Sequence, residues 1–585
     1  MPSPTISRGE PPRDAPSSWT HALLLVGLVA LVFGKAVSFP FVDWDDRGYI
    51  VSNPLIVAPL SRGLRELLLT PGLGYPQPLT VLSQHLDFLL GGGSPWPFHL
   101  TNLLLHALNA VLVLRLLRVV GLSRLPALVG AALFAVHPIV AEPVCWATGR
   151  KDLLAAAFLL GALLVHRRVA ERTEGAWRAV GIVLLLQLLS LGAKPLAVVL
   201  PLLFLAESWV FRRPLRRGAS LLLLGGSVAL SAASLWLSYR GQAGHGALGG
   251  HASSAASPLA FASQHLFLQV RNFVLPTELS PKYLLELPRP WLSAWGFAGL
   301  GTVLGGAAAL LLARRLRADR ALFGLLAGAI LFAPSSGLVP LSRGPADSYL
   351  YLPGAMLALC VAAGVAALGR GRLRATYVVA AVAVAVLGFA GFVQAGIWSS
   401  SASLWRTVVE HYPQHRASHW AYADALAQGG RPREAVAVYE RALRRFPYPP
   451  EDPGVLSAMG QGCLLAKDLP CALRWFAEAV RHYPDDVQRA LRLVGVAALG
   501  ARTQEGDASG TVARADRIVR AALEGLARVP EGGGDDAQRR LRRALTPMDA
   551  AAGLGLRRYL TDPRLAAQVR RLLPPGPRGR PSPRP

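Results

Sequence analysis

The chain has 585 residues, 52% of them hydrophobic and only 16% charged, with 61 Lys and Arg against 35 Asp and Glu for a formal net charge of +26. In a soluble protein that charge would point to nucleic acid. Here the excess lies in short runs between apolar spans, such as Arg212-Arg213 with Arg216-Arg217, and Arg314-Arg315-Leu316-Arg317. That is the pattern of cytoplasmic anchors on a polytopic membrane protein, and it argues against a nucleic-acid partner.

In chain order, residues 1–18 are Pro- and Ser-rich and read as a disordered cytoplasmic tail. Apolar spans follow near 21–39, 98–119, 125–140, 153–167, 177–193, 195–211, 219–238, 291–313, 321–341, 350–368 and 375–397, about eleven transmembrane helices by length. The first is longer than a signal-peptide core and reads as a retained anchor. Every second loop is basic, which puts those loops and the N-terminus in the cytoplasm. The loops at 40–97, 141–152, Lys194, 239–290 and 342–349 then face outward, as does everything after the last span. Within 257–288, Gln264, His265, Gln269, Arg271 and Asn272 interrupt the apolar residues, so an amphipathic helix on the outer surface is expected there.

Beyond residue 400 the apolar runs give way to amphipathic helices. Ala435, Tyr439, Ala442 and Pro447 recur 37 residues later as Ala472, Phe476, Ala479 and Pro484, and Pro413 precedes Pro447 by 34. Small, aromatic, small, proline at this period is the tetratricopeptide signature. Gly460 falls where the first helix of a repeat needs a small residue. The expected domains are the tail 1–18, a membrane domain 19–398, a repeat domain 399–573 and a Pro/Arg-rich disordered tail 574–585. Of the four cysteines, Cys145, Cys360, Cys463 and Cys471, none forms a tight metal-ligand pattern. The last two, eight apart, permit a disulfide, with two helix-packed thiols the plainer reading.

The chemistry-bearing residues concentrate in the outward loops. The first loop opens on Phe41-Val42-Asp43-Trp44-Asp45-Asp46, then carries Asn53 and Asp87. The second holds His137, Glu142 and Arg150-Lys151-Asp152, the third Lys194, and the last Arg343, Asp347 and Tyr351. Three carboxylates at the exit of a first membrane helix are costly near hydrocarbon and point to surface chemistry on something delivered by lipid. The inventory suits transfer of a sugar from a lipid phosphate to a hydroxyl. Asp45 or Asp46 is the base for the acceptor proton. Arg150, Lys151 and Lys194 are the cations for the departing phosphate. A single displacement of this kind inverts the anomeric centre. Each piece also has a plainer use. The acids serve as helix caps or solvated loop residues. Asp43 and Asp45 also suit a divalent cation, the one cofactor this inventory admits. His99, His106 and His137 suit polar helix contacts as well as they suit ligand roles.

Several stretches resemble one family: FVDWDDRGYIVSNP at 41–54, PLTVLSQHLD at 78–87, FHLTNLLLHALN at 98–109, FAVHPIVAEPVCWATGRKDLL at 134–154, LGAKPLAVVLP at 191–201, and PSSGLVPLSRGPADSYLYLP at 334–353. With the repeats, they are similar to the transmembrane-and-tetratricopeptide O-mannosyltransferase-type proteins of the GT-C glycosyltransferase superfamily. The resemblance implies an all-α GT-C-type membrane domain followed by a repeat solenoid. It also implies a polyprenyl-phosphate-linked sugar donor, catalysis around Asp45 and Asp46, and protein hydroxyls as acceptors presented by the repeats. The family pattern has arginine where this chain has Gln77, and Ala-Asp-Arg-Tyr where it has Ala346-Asp347-Ser348-Tyr349. Arg343 lies near enough to the second gap to substitute. The expectation is a bacterial inner-membrane glycosyltransferase with periplasmic catalytic loops and periplasmic repeats. Its rivals are a repeat-bearing envelope scaffold on a degenerate membrane anchor and, ranked third, a transporter, whose polar groups would sit at mid-membrane.

Overall fold

The computed structural model describes residues 18–59, 63–70, 75–171, 176–213, 218–244, 258–285, 293–338, 344–369, 373–446 and 454–482. Among them the fold is helical throughout, without a strand. The terminal tails, Arg343, Pro447, Pro484 and the repeat domain beyond 482 lie outside the described residues.

Each of the eleven apolar spans contains helix among its described residues. Among the described residues seven helices meet the length and composition needed to cross a bilayer: Trp19–Ser38, Trp96–Val119, Ala176–Ala193, Ala219–Gly241, Ala294–Arg315, Asp347–Leu368 and Arg374–Ser399. The bent pair Arg124–Val136 and Pro138–Cys145 makes an eighth if taken as one span. Over their described residues, three of the expected eleven do not meet that test. Arg150–Glu171 carries charge at both ends, Leu200–Val210 has 11 residues and Asp319–Phe332 has 14.

The chain divides into two compact units between Tyr412 and Pro413. The amphipathic helix Ser401–His411 therefore belongs with the membrane helices, although composition alone places the change at 398/399. Its start is fixed by Ser400, whose hydroxyl accepts from the Ser403 amide while the Ser403 hydroxyl caps Ser400 in return. In the first unit, Trp96–Val119 is the central helix. It packs on Ser18–Phe33, Arg124–Val136 and Arg150–Glu171, and the last of these pairs with Ala176–Ala193. Their shared core holds Phe33, Val113, Leu117, Phe134, Trp146, Leu159, Phe204 and Tyr351, all buried. Lipid-facing leucines and valines on the other sides, such as Leu31, Leu221 and Val386, stay exposed, as a bilayer requires.

The helix Pro258–Val274 is amphipathic as expected, but its polar stripe turns inward. Gln264, His265, Gln269 and Asn272 are buried, while Leu259, Val274 and Leu275 are exposed. Gln269 donates to the Ala346 carbonyl (3.0 Å), and Asn272 faces Tyr283 (2.9 Å) and Asp347 (3.4 Å). A helix flanked by hydrocarbon satisfies its polar groups against protein.

In the second unit, helices Arg416–Gln428 and Pro432–Arg445 form one hairpin, and Gly454–Leu465 with Leu469–His482 a second. The repeat residues Ala435, Tyr439, Ala442, Ala472, Phe476 and Ala479 are all buried. Gly460 meets the expectation directly, since a Cβ there would lie 2.8 Å from the Phe476 ring. Cys463 and Cys471 are joined in a disulfide, against the plainer reading of two thiols. The turn between their helices brings the residues together, which sequence spacing alone left open.

Candidate active site

The short segment from His137 to Asp152 organises the site. It leaves the Arg124–Val136 helix through Pro138, makes one turn at Ala141–Cys145 and another at Ala147–Gly149, and enters the next long helix at Arg150. Gly149 is required by close approach, because a Cβ would sit 2.4 Å from the Pro143 carbonyl oxygen. That tight turn aims Thr148 at the first loop. The Thr148 amide (3.0 Å) and hydroxyl (2.6 Å) both donate to Asp46 Oδ1, while the Val42 amide donates to Oδ2 (3.0 Å). Asp46 is fully buried, and burial lifts its carboxyl from 3.8 to about 6 against the opposing effect of those hydrogen bonds.

The neighbouring acids lie differently. Asp43 and Asp45 are partly exposed. The Asp43 amide donates to the Ser401 hydroxyl (2.7 Å), and the Trp405 indole donates to the Asp43 carbonyl (3.2 Å). Trp44 packs on Trp405 with ring centroids 4.9 Å apart. The loop is thus clamped on one side by Thr148 and on the other by the Ser401–His411 helix, with Asp45 between the two. Tyr49, one turn on, donates its amide to the Asp45 carbonyl (2.9 Å), and burial together with the Asp45 charge raises its phenol to about 12. Asn53 caps the next short helix, accepting from the Leu55 amide (3.0 Å) and donating to the Tyr49 carbonyl (3.1 Å).

Arg150 does not face solvent. Its fork is buried, with Nε on Asn102 Oδ1 (2.6 Å), one terminal nitrogen on Ser83 Oγ (2.6 Å), and the other on Asp87 Oδ2 (2.6 Å) and the Phe98 carbonyl (2.7 Å). Lys151 is buried too, donating to the Thr148 carbonyl (2.9 Å) and lying 4.1 Å over Trp146. Asp152 pairs with Lys194 at 2.5 Å, and the Lys194 side chain keeps 14% exposure, 5.3 Å over the Tyr349 ring.

The loop that carries Asp347 and Ser348 is fastened to the same segment. Glu142 accepts from the Asp347 amide (3.0 Å), the Ser348 amide (3.3 Å) and the Ser348 hydroxyl (2.9 Å). Asp347 in turn accepts from Tyr283 (2.5 Å), whose buried phenol is raised well above its ordinary value. Tyr351 meets His106 (2.7 Å) and Asn109 (3.1 Å). His137 accepts from the Ile139 amide (3.2 Å), bonds the Phe273 carbonyl (2.9 Å) and stacks on the Phe273 ring, while His99 is buried edge-on to Phe39. Both histidines pack against protein, His137 on Phe273 and His99 on Phe39.

The expected residues therefore converge, but in two classes: a buried scaffold (Asp46, Glu142, Arg150, Lys151, Asp152, Asp347, Tyr351) and a more open set (Asp43, Asp45, Asn53, Lys194). Among the described residues, no group of three or more His, Cys, Asp or Glu side chains gathers as a metal site. Sequence reasoning passed over Ser401 and Trp405 and gave Asp87 and Thr148 no role of their own, because their parts depend on partners far along the chain.

The fold and the repeats define a multi-pass helical membrane protein carrying a tetratricopeptide-repeat unit. Residues 391–450 and 428–487 match the tetratricopeptide repeat family. The chain is 42% identical over 127 residues to Protein O-mannosyl-transferase Tmtc2 of Drosophila melanogaster, covering 21% of this chain and 14% of that one. It is 35% identical over 192 residues to Tmtc1 of the same organism (31% and 22%) and 27% identical over 489 residues to Protein O-mannosyl-transferase TMTC1 of Homo sapiens (73% and 55%). Across these comparisons the chain is similar to transmembrane-and-tetratricopeptide-repeat proteins named O-mannosyl-transferases, and it spans about half the length of the human relative.

Proposed function

We propose that this chain is an inverting glycosyltransferase that moves a hexosyl group, mannosyl by analogy with the names of its relatives, from a polyprenyl-phosphate donor to an acceptor hydroxyl at the outer membrane face. The observation that carries the proposal is the division of labour in the acidic loop: a buried, triply hydrogen-bonded Asp46 holds Asp45 at a partly exposed position. Asp45 takes the acceptor proton as the acceptor oxygen attacks the anomeric carbon. The bond from that carbon to the phosphate oxygen breaks, and its electron pair leaves on the phosphate. Lys194 answers that charge: an ammonium has three donors, and Asp152 engages one oxygen's worth of them. Arg150 acts as a positioning residue, because a phosphate would have to displace Asp87, Ser83 and Asn102 to reach it. Arg343 remains a second candidate cation. Any divalent ion would sit on Asp43 and Asp45, with water and donor phosphate completing its oxygen shell.

The protein acceptor also follows the names of the relatives, with the repeats as its docking unit. Native mass spectrometry of the detergent-purified chain tests the donor. A co-purified polyprenyl phosphate, lost in Lys194→Ala and kept in Arg343→Ala, is the expected result. Retention in Lys194→Ala moves the phosphate site elsewhere, and absence of any lipid phosphate from wild type favours the scaffold reading.

A further inference from the structure

Beside the acidic loop lies a cavity of ≈ 200 Å³ lined by Tyr49, Asn53, Gln77, Thr80, Gln84 and Thr148, with Leu55 and Val81 as apolar edges. It is smaller than the clefts of about 300–1,000 Å³ that hold drug-sized ligands. Among the described residues no charged side chain lines it. Its polar atoms are amides and hydroxyls, each able to donate or accept. A phosphate finds no cation there, and a prenyl chain would leave these groups unsatisfied.

Gln84 supplies the independent pointer to a ligand. It is 3% exposed, and its Nε2 has no hydrogen-bond partner among the described residues. A buried amide donor left without an acceptor is costly, so a group that accepts from it gains accordingly. Thr80 and Asn53 are already fixed, Thr80 by the Ala193 carbonyl (3.2 Å) and Asn53 by its cap, so the wall is preorganised. Thr148 and Tyr49 join the cavity to the acids, Thr148 through Asp46 and Tyr49 through Asp45.

We infer that this cavity is a binding site for one neutral hexopyranosyl ring, with Gln84 donating to a sugar hydroxyl and the ring's reacting end turned toward Asp45. The inference rests on the proposed reaction for its role but not for its chemistry. The ring belongs either to the lipid-linked donor or to a glycosylated acceptor, and the two share the recognition described.

The test uses the full chain in lipid nanodiscs and saturation-transfer NMR with methyl α-D-mannopyranoside. Wild type shows saturation of the sugar protons. Gln84→Leu, which keeps the volume and removes the amide, binds about fivefold to tenfold more weakly, the loss expected for one hydrogen bond. Thr70→Val, at an exposed edge of the same cavity, gives a smaller loss and guards against a folding defect in Gln84→Leu. Displacement by polyprenyl-phosphate mannose but not by polyprenyl phosphate assigns the ring to the donor, and displacement by a mannosylated peptide assigns it to the acceptor. Equal binding in wild type and both variants, or none in wild type, overturns the pocket and leaves a water-filled cavity. Asp45→Asn keeps sugar binding in either case. If that variant also keeps transfer, the proposed reaction fails while the pocket stands.

Discussion

Adjacent carboxylates, Asp45 and Asp46, have different environments, and the difference comes from one residue 102 positions away. Thr148 places two donors on Asp46 and leaves Asp45 toward the open side of the loop. Because burial raises the Asp46 carboxyl from 3.8 to about 6, the folded protein holds a proton that the unfolded chain has released between those values. Stability from this group is therefore greatest below about pH 4 and is lost as pH rises to 6, by about 3 kcal/mol at 1.36 kcal/mol per pH unit. Asp46→Asn removes that dependence. The difference in Tm between wild type and Asp46→Asn should move against wild type as pH goes from 4 to 6, and a constant difference would refute the burial of an ionisable group there. The sequence made the acidic cluster legible through its cost beside a membrane helix. It could not separate base from scaffold, because that depends on Thr148. Arg150, expected as a cation for the donor phosphate, is buried against Asp87 63 residues earlier, a pairing that the sequence spacing does not reveal.

At the scale of elements, the clearest sequence signals were periodic ones. The helical repeat was readable because each small residue marks a close helix contact, and Gly460 shows the cost of changing one. A Cβ there meets the Phe476 ring at 2.8 Å, and a ring cannot bend aside. Gly460→Ala should cost about 1–3 kcal/mol as an overpacked contact, against the small gain alanine normally brings to a helix. Thermal unfolding of the full chain checks this, and an unchanged or raised repeat transition would show that the hairpin is looser than described. The helix Pro258–Val274 shows the opposite case. Its amphipathicity was evident, yet which side faced water was not, because in a bilayer the polar face seeks protein. Gln264, His265, Gln269 and Asn272 are thus buried, with Gln269 and Asn272 against the loop that carries Ala346 and Asp347.

For the whole molecule, the helix Arg150–Glu171 joins two charged clusters. Arg150 and Asp152 open it at the site, and His166 and Arg167 hold Glu207 sixteen residues on, about 24 Å away at 1.5 Å per residue. That separation is close to the hydrocarbon thickness of about 30 Å, so the clusters suit opposite faces. The orientation expected from the basic loops would put the second cluster on the cytoplasmic side, and the Cys463–Cys471 disulfide is consistent with an oxidising compartment for the repeats. An Arg444→Cys variant should accept a membrane-impermeant maleimide in intact cells. Labelling only after lysis would reverse the orientation.

The central claim is Asp45-dependent sugar transfer from a lipid phosphate, and reconstituted transfer measures it most directly. Purified chain in vesicles, given polyprenyl-phosphate mannose and a Ser/Thr peptide, should yield a mannosyl peptide of inverted anomeric configuration. Asp45→Asn should lower that rate by about 10²-fold or more with Tm unchanged, as expected for loss of a general base. Full activity in Asp45→Asn, or a retained anomeric configuration, would contradict the account.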